Sequence, residues 1–357
     1  MSYGVNGGFT TSRTRVNYFY NRENGYEFDE EESSSNKQKE YGGNVFGQVS
    51  RSFGPFSADI SLKLEYFRSD YVSNGKETLL WNDWALFPTA SLSYMFSSKH
   101  VLQLNVSSDK NYPSYWAINP QTSPISSYTV ITGNPELKPS REYETQLMYI
   151  LKQKYIFMAF WEYTPNYIAQ LVYPDKEELK SSYRFENFDY QSTFGIGVIL
   201  PFRIGKILDS RLSVQGVRQQ EKKEDFYDMP FNRHTFFNVS SLTNTINISD
   251  SKPNLKLTVS GYYISPLIQG LNRISGMYDV SAGFKWTFAN DKATLTFQAN
   301  NIFRSSYPYT LTMNESRHYS RMKMVDNTRY FGVSFAWKFG GYKQKNYDQV
   351  DQSRFSR

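Results

Sequence analysis

The chain of 357 residues contains no cysteine, so disulfide bonds and thiolate metal sites are excluded. It also has no long apolar run. The longest such run, residues 155–161, falls far short of the roughly 18 residues that a transmembrane helix needs. The Lys and Arg residues are scattered along the chain, and the formal net charge is only +6. A nucleic-acid-binding protein concentrates its cations, so this class is not favoured.

Mean hydropathy is −0.60, which taken alone would indicate a soluble protein. What the chain does contain is aromatic residues, 29 Tyr and 27 Phe among them, in segments of alternating polarity. Residues 330–339 show the pattern most clearly, because successive side chains of a strand point to opposite faces. One predicted face is apolar and aromatic, and it consists of Phe331, Val333, Phe335, Trp337 and Phe339.

The same alternation occurs in residues 56–67, 255–261, 277–288 and 291–302. In the first of these segments, Ala58, Ile60, Leu62, Leu64 and Tyr66 would share one face, and Asp59, Ser61, Lys63 and Glu65 the other. A membrane barrel explains both faces, since one meets lipid and the other a wet lumen. Lys or Arg at the lipid-facing midplane would cost about 2–4 kcal/mol.

Short and long connections alternate between these segments. Short turns are predicted at Thr11–Arg13, Ser52–Pro55, Ser97–Lys99, Lys152–Lys154, Ile204–Lys206, Asp250–Pro253 and Ala289–Asp291, and long connections near 24–40, 71–85, 111–137, 172–182, 220–234, 265–273 and 303–325. Outer-membrane barrels have short periplasmic turns and longer extracellular loops. We therefore predict an all-β protein, a transmembrane antiparallel β-barrel of about fifteen strands.

The predicted count is odd, and its first strand, about residues 2–10, would run toward the periplasm. Bacterial barrels have even strand numbers, so we expect upstream strands to be missing. A miscounted hairpin near the N-terminus is the alternative. Residues 1–8 also lack the basic region and apolar core of a signal peptide, although an exported barrel requires one.

Three internal segments and the C-terminal tail carry a family resemblance. Residues 133–139, Gly-Asn-Pro-Glu-Leu-Lys-Pro, resemble the GNPxLKP signature of TonB-dependent receptors. Residues 113–120, PSYWAINP, and 87–94, FPTASLSY, resemble segments of the Bacteroidetes branch of that superfamily, as do 340–343 and 351–355 at the C-terminus. Their order and spacing also match, and together they cover about 85–355.

The resemblance implies an outer-membrane receptor that takes up a scarce nutrient, such as a siderophore, vitamin, peptide or glycan. Such receptors have barrels of about 22 strands and a plug. Neither the plug nor the TonB-binding segment is recognisable here, so TonB would be reached only through a missing N-terminal region. We expect residues 1–339 to be the C-terminal portion of the barrel and 340–357 a periplasmic tail. A passive porin or channel and a surface-binding barrel are the alternatives.

The family motif consists of Gly133, Asn134, Pro135, Leu137, Lys138 and Pro139. Glycine permits unusual φ values, Asn-Pro starts a turn, and proline is tolerated at the beginning of a strand. The motif is therefore expected to end a long loop and to set the register of the following strand. Direct contact with a ligand is the other interpretation.

Aromatic residues in the long connections are the ligand-binding candidates, because an aromatic ring at a wet mouth can stack on a sugar, a peptide ring or another planar ligand. An aromatic girdle at the membrane interface is the competing explanation. The candidates are Trp81, Trp84, Tyr112, Tyr115, Trp116, Phe226, Tyr227, Tyr307 and Tyr309.

No catalytic or metal site is predicted, and no cofactor. The acidic run 29–32 has oxygen ligands for Ca²⁺ but is more typical of a solvated outer loop. His100 adjoins a predicted periplasmic turn, whereas His234 and His318 lie at the opposite end, so the three cannot share one site. His234 with Asp225 or Asp228 would be the only enzyme-like group, and no further motif supports it. We predict a non-enzymatic protein whose partners are outer-membrane lipid and a small extracellular ligand.

Overall fold

The computed structural model describes residues 1–23, 25–73, 75–175, 179–226, 229–249, 253–307, 310–315, 318–323 and 327–339. These residues form strands almost throughout, with a single helical turn, α1 (Tyr115–Ile118). The strands are β1 (Ser2–Arg22), β2 (Gly25–Phe53), β3 (Phe56–Ser73), β4 (Lys76–Ser97), β5 (His100–Asn111), β6 (Thr122–Ser126), β7 (Thr129–Thr132), β8 (Ser140–Leu151), β9 (Tyr155–Pro165), β10 (Ile168–Pro174), β11 (Ser181–Asn187), β12 (Tyr190–Ile204), β13 (Leu208–Phe226), β14 (Met229–Ser249), β15 (Asn254–Ile264), β16 (Leu267–Gln269), β17 (Asn272–Ile274), β18 (Met277–Phe288), β19 (Ala293–Asn300), β20 (Thr310–Glu315), β21 (His318–Lys323) and β22 (Tyr330–Trp337).

Fourteen strands form one sheet in the order β1-β2-β3-β4-β5-β8-β9-β12-β13-β14-β15-β18-β19-β22. Every neighbouring pair is antiparallel, and each strand lies beside the next one of the sheet along the chain. In the part of the chain that the structure describes, β1 and β22 are the two edges of this sheet. The predicted all-β antiparallel architecture is confirmed.

The predicted turn at Thr11–Arg13 is wrong, because β1 is continuous across it and Ser12 pairs with Gln38 of β2. The main sheet of the described residues has fourteen strands, close to the predicted number of about fifteen. Strand β1 runs in the opposite direction to the predicted first strand. A polar Thr-Thr-Ser-Arg stretch is equally compatible with a turn and with a solvated strand, and here the pairing with β2 decides.

Three of the predicted long connections are also strands. The described residues of 24–40 belong to the hairpin β1–β2, those of 71–85 to the hairpin β3–β4, and those of 220–234 to the hairpin β13–β14. Pairing reaches the tip of the β3–β4 hairpin, where Ser73 lies opposite Lys76. In the β1–β2 hairpin the pairing resumes at Tyr18–Asp29 after a bulge that follows Val16–Ser34. These stretches are polar because water surrounds them, and the cross-strand hydrogen bonds persist regardless.

Short turns join the strands at one end of the sheet, the turn end. They occur at 54–55, 98–99, 152–154, 205–207 and 289–292, as predicted. Ala289, Asn290 and Asp291 have φ values of 51°, 56° and 65°, which explains the turn-favouring residues there. The predicted turn at Asp250–Pro253 lies largely outside the described residues. The opposite end, where the longer connections gather, is the loop end.

The two faces of the sheet differ as the alternation predicts. On the apolar face, rows of large side chains cross several strands, such as Phe284, Phe297 and Val333 in β18, β19 and β22. Ile60 and Leu62 are 53% and 50% exposed there. On the polar face, Glu65 is 7% exposed. The chain therefore shows apolar groups outward and covers polar ones, the reverse of a soluble sheet.

Two small sheets lie at the loop end. One has the order β10-β11-β7-β6 and the other β16-β17-β20-β21. The first joins two separate connections of the main sheet through the parallel pair β7–β11. Among the described residues, no helix is long and apolar enough to cross a membrane.

Candidate functional site at the loop end of the sheet

The connection between β5 and β8, residues 112–139, is here called the first loop connection. It packs on the main sheet through an aromatic cluster. Trp81, Ala117, Ile118 and Leu137 form its buried centre. The indole Nε1–H of Trp81 donates to the backbone oxygen of Leu137 at 2.7 Å. The rings of Phe67 and Tyr112 stack beside it, with centroids 3.9 Å apart. The cluster fixes residues 112–139 to the loop end of β3 and β4.

The GNPxLKP-like segment locks this connection internally. A Cβ on Gly133 would lie 2.1 Å from the backbone oxygen of Asn119, so only glycine fits. The amide of Asn134 donates to the Ala117 oxygen at 2.6 Å, and its side-chain Nδ2 donates to the Phe185 oxygen at 2.9 Å. The segment thus ties α1 to β11.

Asn187 joins the connection between β5 and β8 to the connection between β9 and β12. The hydrogen bonds between these two connections are here called the clamp. Its Oδ1 accepts from the amide of Lys138 at 2.7 Å, and its Nδ2 donates to the oxygens of Lys138 and Asn166 at 2.9 and 2.8 Å. Strand β8 starts at Ser140, directly after the motif. In the structure the motif thus ends the connection directly before β8, and hydrogen bonds to α1 and β11 hold it there.

A second buried cluster lies farther along the loop end. Its members are Ala169, Leu171, Tyr173, Phe188, Phe231 and Leu271. Beneath it, the carboxylate of Glu221 accepts from the Gly270 amide at 2.7 Å and from the side chains of Gln191 and Gln219 at 3.1 and 3.0 Å. Burial, and then the Glu221 charge, raise the pKa of the nearby Tyr167 hydroxyl, which therefore stays protonated at neutral pH.

The polar face below the first connection carries a row of buried hydrogen-bonding groups. Gln38 and Glu40 are 4% and 6% exposed. The Gln38 amide donates to Glu40 at 3.0 Å and to Ser69 at 2.8 Å, and the Tyr115 hydroxyl donates to Glu40 at 2.9 Å. Tyr115 of α1 is thereby hydrogen-bonded to Glu40 of β2 in the main sheet.

A cavity of about 280 Å³ opens on this face beside β1 and β2. Lys110 forms an ion pair with Glu65 and lies over the rings of Tyr112 and Phe67, at 4.4 and 5.2 Å from their centroids. The cavity is lined by residues that include Asn6, Thr10, Glu40, Asn44, Glu65 and Lys110. It offers carboxylate and amide oxygens, one ammonium group and an aromatic edge.

The structure brings some of the aromatic candidates together and separates others. Trp81, Tyr112 and Tyr115 adjoin the cluster and the polar face just described, and Trp116 shares α1 with Tyr115. Trp84 lies on the apolar face, exposed and packed against Tyr66 at 5.0 Å between centroids. That position is typical of an aromatic girdle. Tyr307 is half-exposed, whereas Tyr227, Tyr309 and the side chain of Phe226 lie outside the described residues.

The carboxylates Glu40 and Glu221 were not singled out by the sequence. Both stand in stretches predicted as loops, where an acidic residue is ordinarily solvated. Strand alternation carried through these stretches would have placed Glu40 on the polar face with Glu65, which the sequence did assign correctly.

Other charged groups form no compact site. His100 bonds the Tyr149 hydroxyl at 2.5 Å near the turn end, while His234 stacks edge-on to Phe236. The side chain of His318 and those of Glu31 and Glu32 lie outside the described part of the chain. Within the residues described, no group of three or more His, Asp or Glu side chains is arranged to hold a metal ion.

The open antiparallel sheet, with its apolar outward face, short turns at one end and looped other end, defines a membrane β-barrel wall. Residues 1–337 match the model of the outer membrane protein beta-barrel family, and the chain belongs to that family. It is therefore an outer-membrane protein, and the prediction of a non-enzymatic barrel agrees with this family. No curated protein sequence matches the chain.

Solved transporters share the fold. The copper transporter OprC superposes with a TM-score of 0.61 at 11% identity, over 94% of this chain and 54% of that one. The FrpB iron transporter from Neisseria meningitidis, F3-3 variant, gives 0.53 at 12% identity, over 86% of this chain and 46% of that one. The chain thus spans about half the length of the solved structures that it resembles.

Proposed function

We propose that the chain is the C-terminal portion of an outer-membrane transporter of the TonB-dependent receptor type. The observation that carries the proposal is the sheet that the described residues form, which has fourteen strands, two edges without a partner strand and a polar inner face. Closing it at about 22 strands requires about eight more, again an even number. The similarity over about half the length of OprC and FrpB supports the same conclusion.

In this proposal the loop end faces the outside of the cell and the turn end the periplasm. Barrels of this kind carry their longer connections outside. Strand β22 then descends, and residues 340–357 form a tail on the periplasmic side. Because β1 ascends from the turn end, an even number of upstream strands continues the alternation.

Ligand recognition is assigned to the polar face beneath the first loop connection. Glu40, Glu65 and Lys110 supply charge, and Tyr115 brings a hydroxyl from the loop. Such a surface suits a ligand with several hydrogen-bonding groups, and siderophores, vitamins, peptides and glycans all qualify. TonB would act through the part of the protein upstream of this chain, which would also carry the plug.

The test is uptake in the native bacterium. The gene is deleted, and growth is measured under limitation of iron, cobalamin, peptide or glycan in turn, with and without a functional TonB protein. We expect a growth defect on one nutrient, restored by the full-length gene only when TonB is present. Uptake that persists without TonB would identify a passive channel instead, and ligand binding without uptake a surface-binding barrel.

A matched pair of variants tests the assigned site. Glu40→Gln in the full-length gene removes one charge from the polar face, whereas Glu77→Gln changes an exposed carboxylate near a hairpin tip. The first is expected to weaken uptake at low ligand concentration, and the second to leave it unchanged. Equal behaviour of the two would place recognition elsewhere.

A further inference from the structure

Four cations stand together on the apolar face of the β1–β2 hairpin. They are Arg13, Arg15, Lys37 and Lys39, here called the β1–β2 basic cluster. Arg13 lies directly opposite Lys37, Thr11 opposite Lys39 and Arg15 opposite Ser35. Residues directly opposite each other share a face, so the four side chains project from the same side of the sheet as Phe9 and Tyr41.

The cluster contains an unfavourable pair. Like charges directly opposite each other on neighbouring strands are destabilising. Within the described residues, Arg13, Arg15 and Lys37 have no carboxylate at ion-pair distance, whereas Lys39 pairs with Glu77 at 3.9 Å and lies directly opposite Asp70 of β3. The adjacent Arg68 differs, since Asp70 holds it through two guanidinium nitrogens at 2.9–3.1 Å. Among the described residues, the positive charge without a carboxylate partner is therefore that of Arg13, Arg15 and Lys37.

The position of the cluster relative to the membrane is set by aromatic residues. The rings of Phe9 and Tyr41 pack together with centroids 4.9 Å apart, next to Val5 and Val45, which are 73% and 48% exposed. Lys39 stands two residues beyond Tyr41 toward the loop end, or roughly 7 Å along the strand. The cluster therefore begins where the apolar band ends, at the height of lipid headgroups.

We propose that the β1–β2 basic cluster binds the phosphate groups of an anionic lipid in the outer leaflet. The inference goes beyond nutrient uptake and depends only on the orientation given above. Lys and Arg next to a membrane surface attract anionic headgroups. A phosphate between Arg13 and Lys37 would turn their mutual repulsion into a shared attraction. Arginine also binds phosphate oxygens through two parallel hydrogen bonds.

The experiment uses the full-length protein extracted from outer membranes and reconstituted in phosphatidylcholine nanodiscs. The probe is bisphosphorylated lipid A, and the same lipid with its phosphates removed is the reference. The variant is Arg13→Gln/Arg15→Gln/Lys37→Gln/Lys39→Gln. The control, Lys99→Gln/Lys152→Gln/Lys206→Gln/Lys292→Gln, removes the same charge from exposed sites at the turn end.

Native mass spectrometry measures the lipid bound. We expect the cluster variant to bind lipid A at least about tenfold more weakly, because each such cation contributes about a fivefold factor. The control should bind as the unaltered protein does. Equal binding by both variants overturns the proposal, as does equal binding of the dephosphorylated lipid.

Two further measurements test the source of the anion and the folding of the variant. Inorganic phosphate that displaces lipid A at millimolar concentration would show a free-anion site rather than lipid docking, and would also overturn the proposal. If the fourfold variant lacks the gel shift of a folded barrel on heating, Arg13→Gln/Lys37→Gln replaces it, with Lys99→Gln/Lys206→Gln as its control. Nutrient uptake is measured alongside, and it fails independently if only the proposed transport function is wrong.

Discussion

At the scale of single residues, some polar and aromatic side chains at the loop end anchor the connections by hydrogen bonds and are not available to solvent. Trp81 is the clearest example. Its sequence context, an aromatic in a polar connection, fits ligand stacking, but its indole N–H is bonded to the Leu137 oxygen and the ring is buried. Burial depends on contacts between residues 56 positions apart, which no local pattern reveals.

Gly133→Ala tests the local fit of the motif. The added methyl group would meet the Asn119 carbonyl and the Trp116 carbonyl, both of which are backbone atoms that cannot rotate away. Forcing a methylene into a tight site costs about 1–3 kcal/mol. We expect faster hydrogen exchange in residues 115–137, measured by mass spectrometry. Gly216→Ala is the control, because its Cβ would meet nothing within 4 Å; matching exchange in both variants would refute the clamp.

At the scale of elements, the strands followed from alternation, while the layer above them did not. The alternation of β18 and β19 was predicted, and the faces of β3 were predicted residue by residue, because lipid and lumen impose a strict two-residue period. The parallel pair β7–β11 joins two connections that the sequence presents as unrelated loops. These two strands are short and lack a clear apolar period. They form because they pair with each other across a long separation in sequence, which local patterns do not reveal.

Asn187→Asp tests the link between those two connections. The carboxylate can still accept from the Lys138 amide, but it cannot donate to the carbonyls of Lys138 and Asn166. Losing both donated bonds is expected to cost about 1–3 kcal/mol. The readout is limited proteolysis within residues 112–139 and 166–189, which should become faster. Asn17→Asp makes the same chemical change at an exposed position and should have no effect; resistance in the Asn187 variant would contradict the role assigned to it.

At the scale of the whole molecule, the alternating polarity predicted the barrel and the sequence resemblance predicted the family, while the direction of the first strand was the main error. Reading Thr11–Arg13 as a turn reversed the direction of β1, because polar strand residues that extend beyond a membrane look like loop residues. The structure gives an even sheet instead. The number and direction of the strands therefore depend on which strands pair, and for β1 the pairing with β2 determines both.

The open edges lead to a prediction about assembly. Within the part of the chain that the structure describes, β1 and β22 each leave one edge without a partner strand, and lipid cannot satisfy the backbone N–H and C=O groups there. The 357-residue chain by itself should therefore aggregate when refolded in detergent, whereas the same chain extended by its upstream strands should give a monomer. Light scattering after gel filtration, and gel mobility with and without boiling, distinguish the two. A folded, heat-modifiable monomer from the shorter chain would show that fourteen strands close on themselves.

The long hairpins have a consequence for how the cell surface is encountered. Strand β2 has 29 residues, or roughly 95 Å of extended chain, and the hydrocarbon core it crosses is only about 30 Å thick. Even when tilted, such a hairpin stands well clear of the lipid as a hydrogen-bonded ribbon. In the proposed orientation, an antibody or bacteriophage at the cell surface would therefore meet a stiff, folded hairpin whose epitopes are discontinuous in sequence. Linear peptides copied from residues 25–40 would make poor immunogens against it.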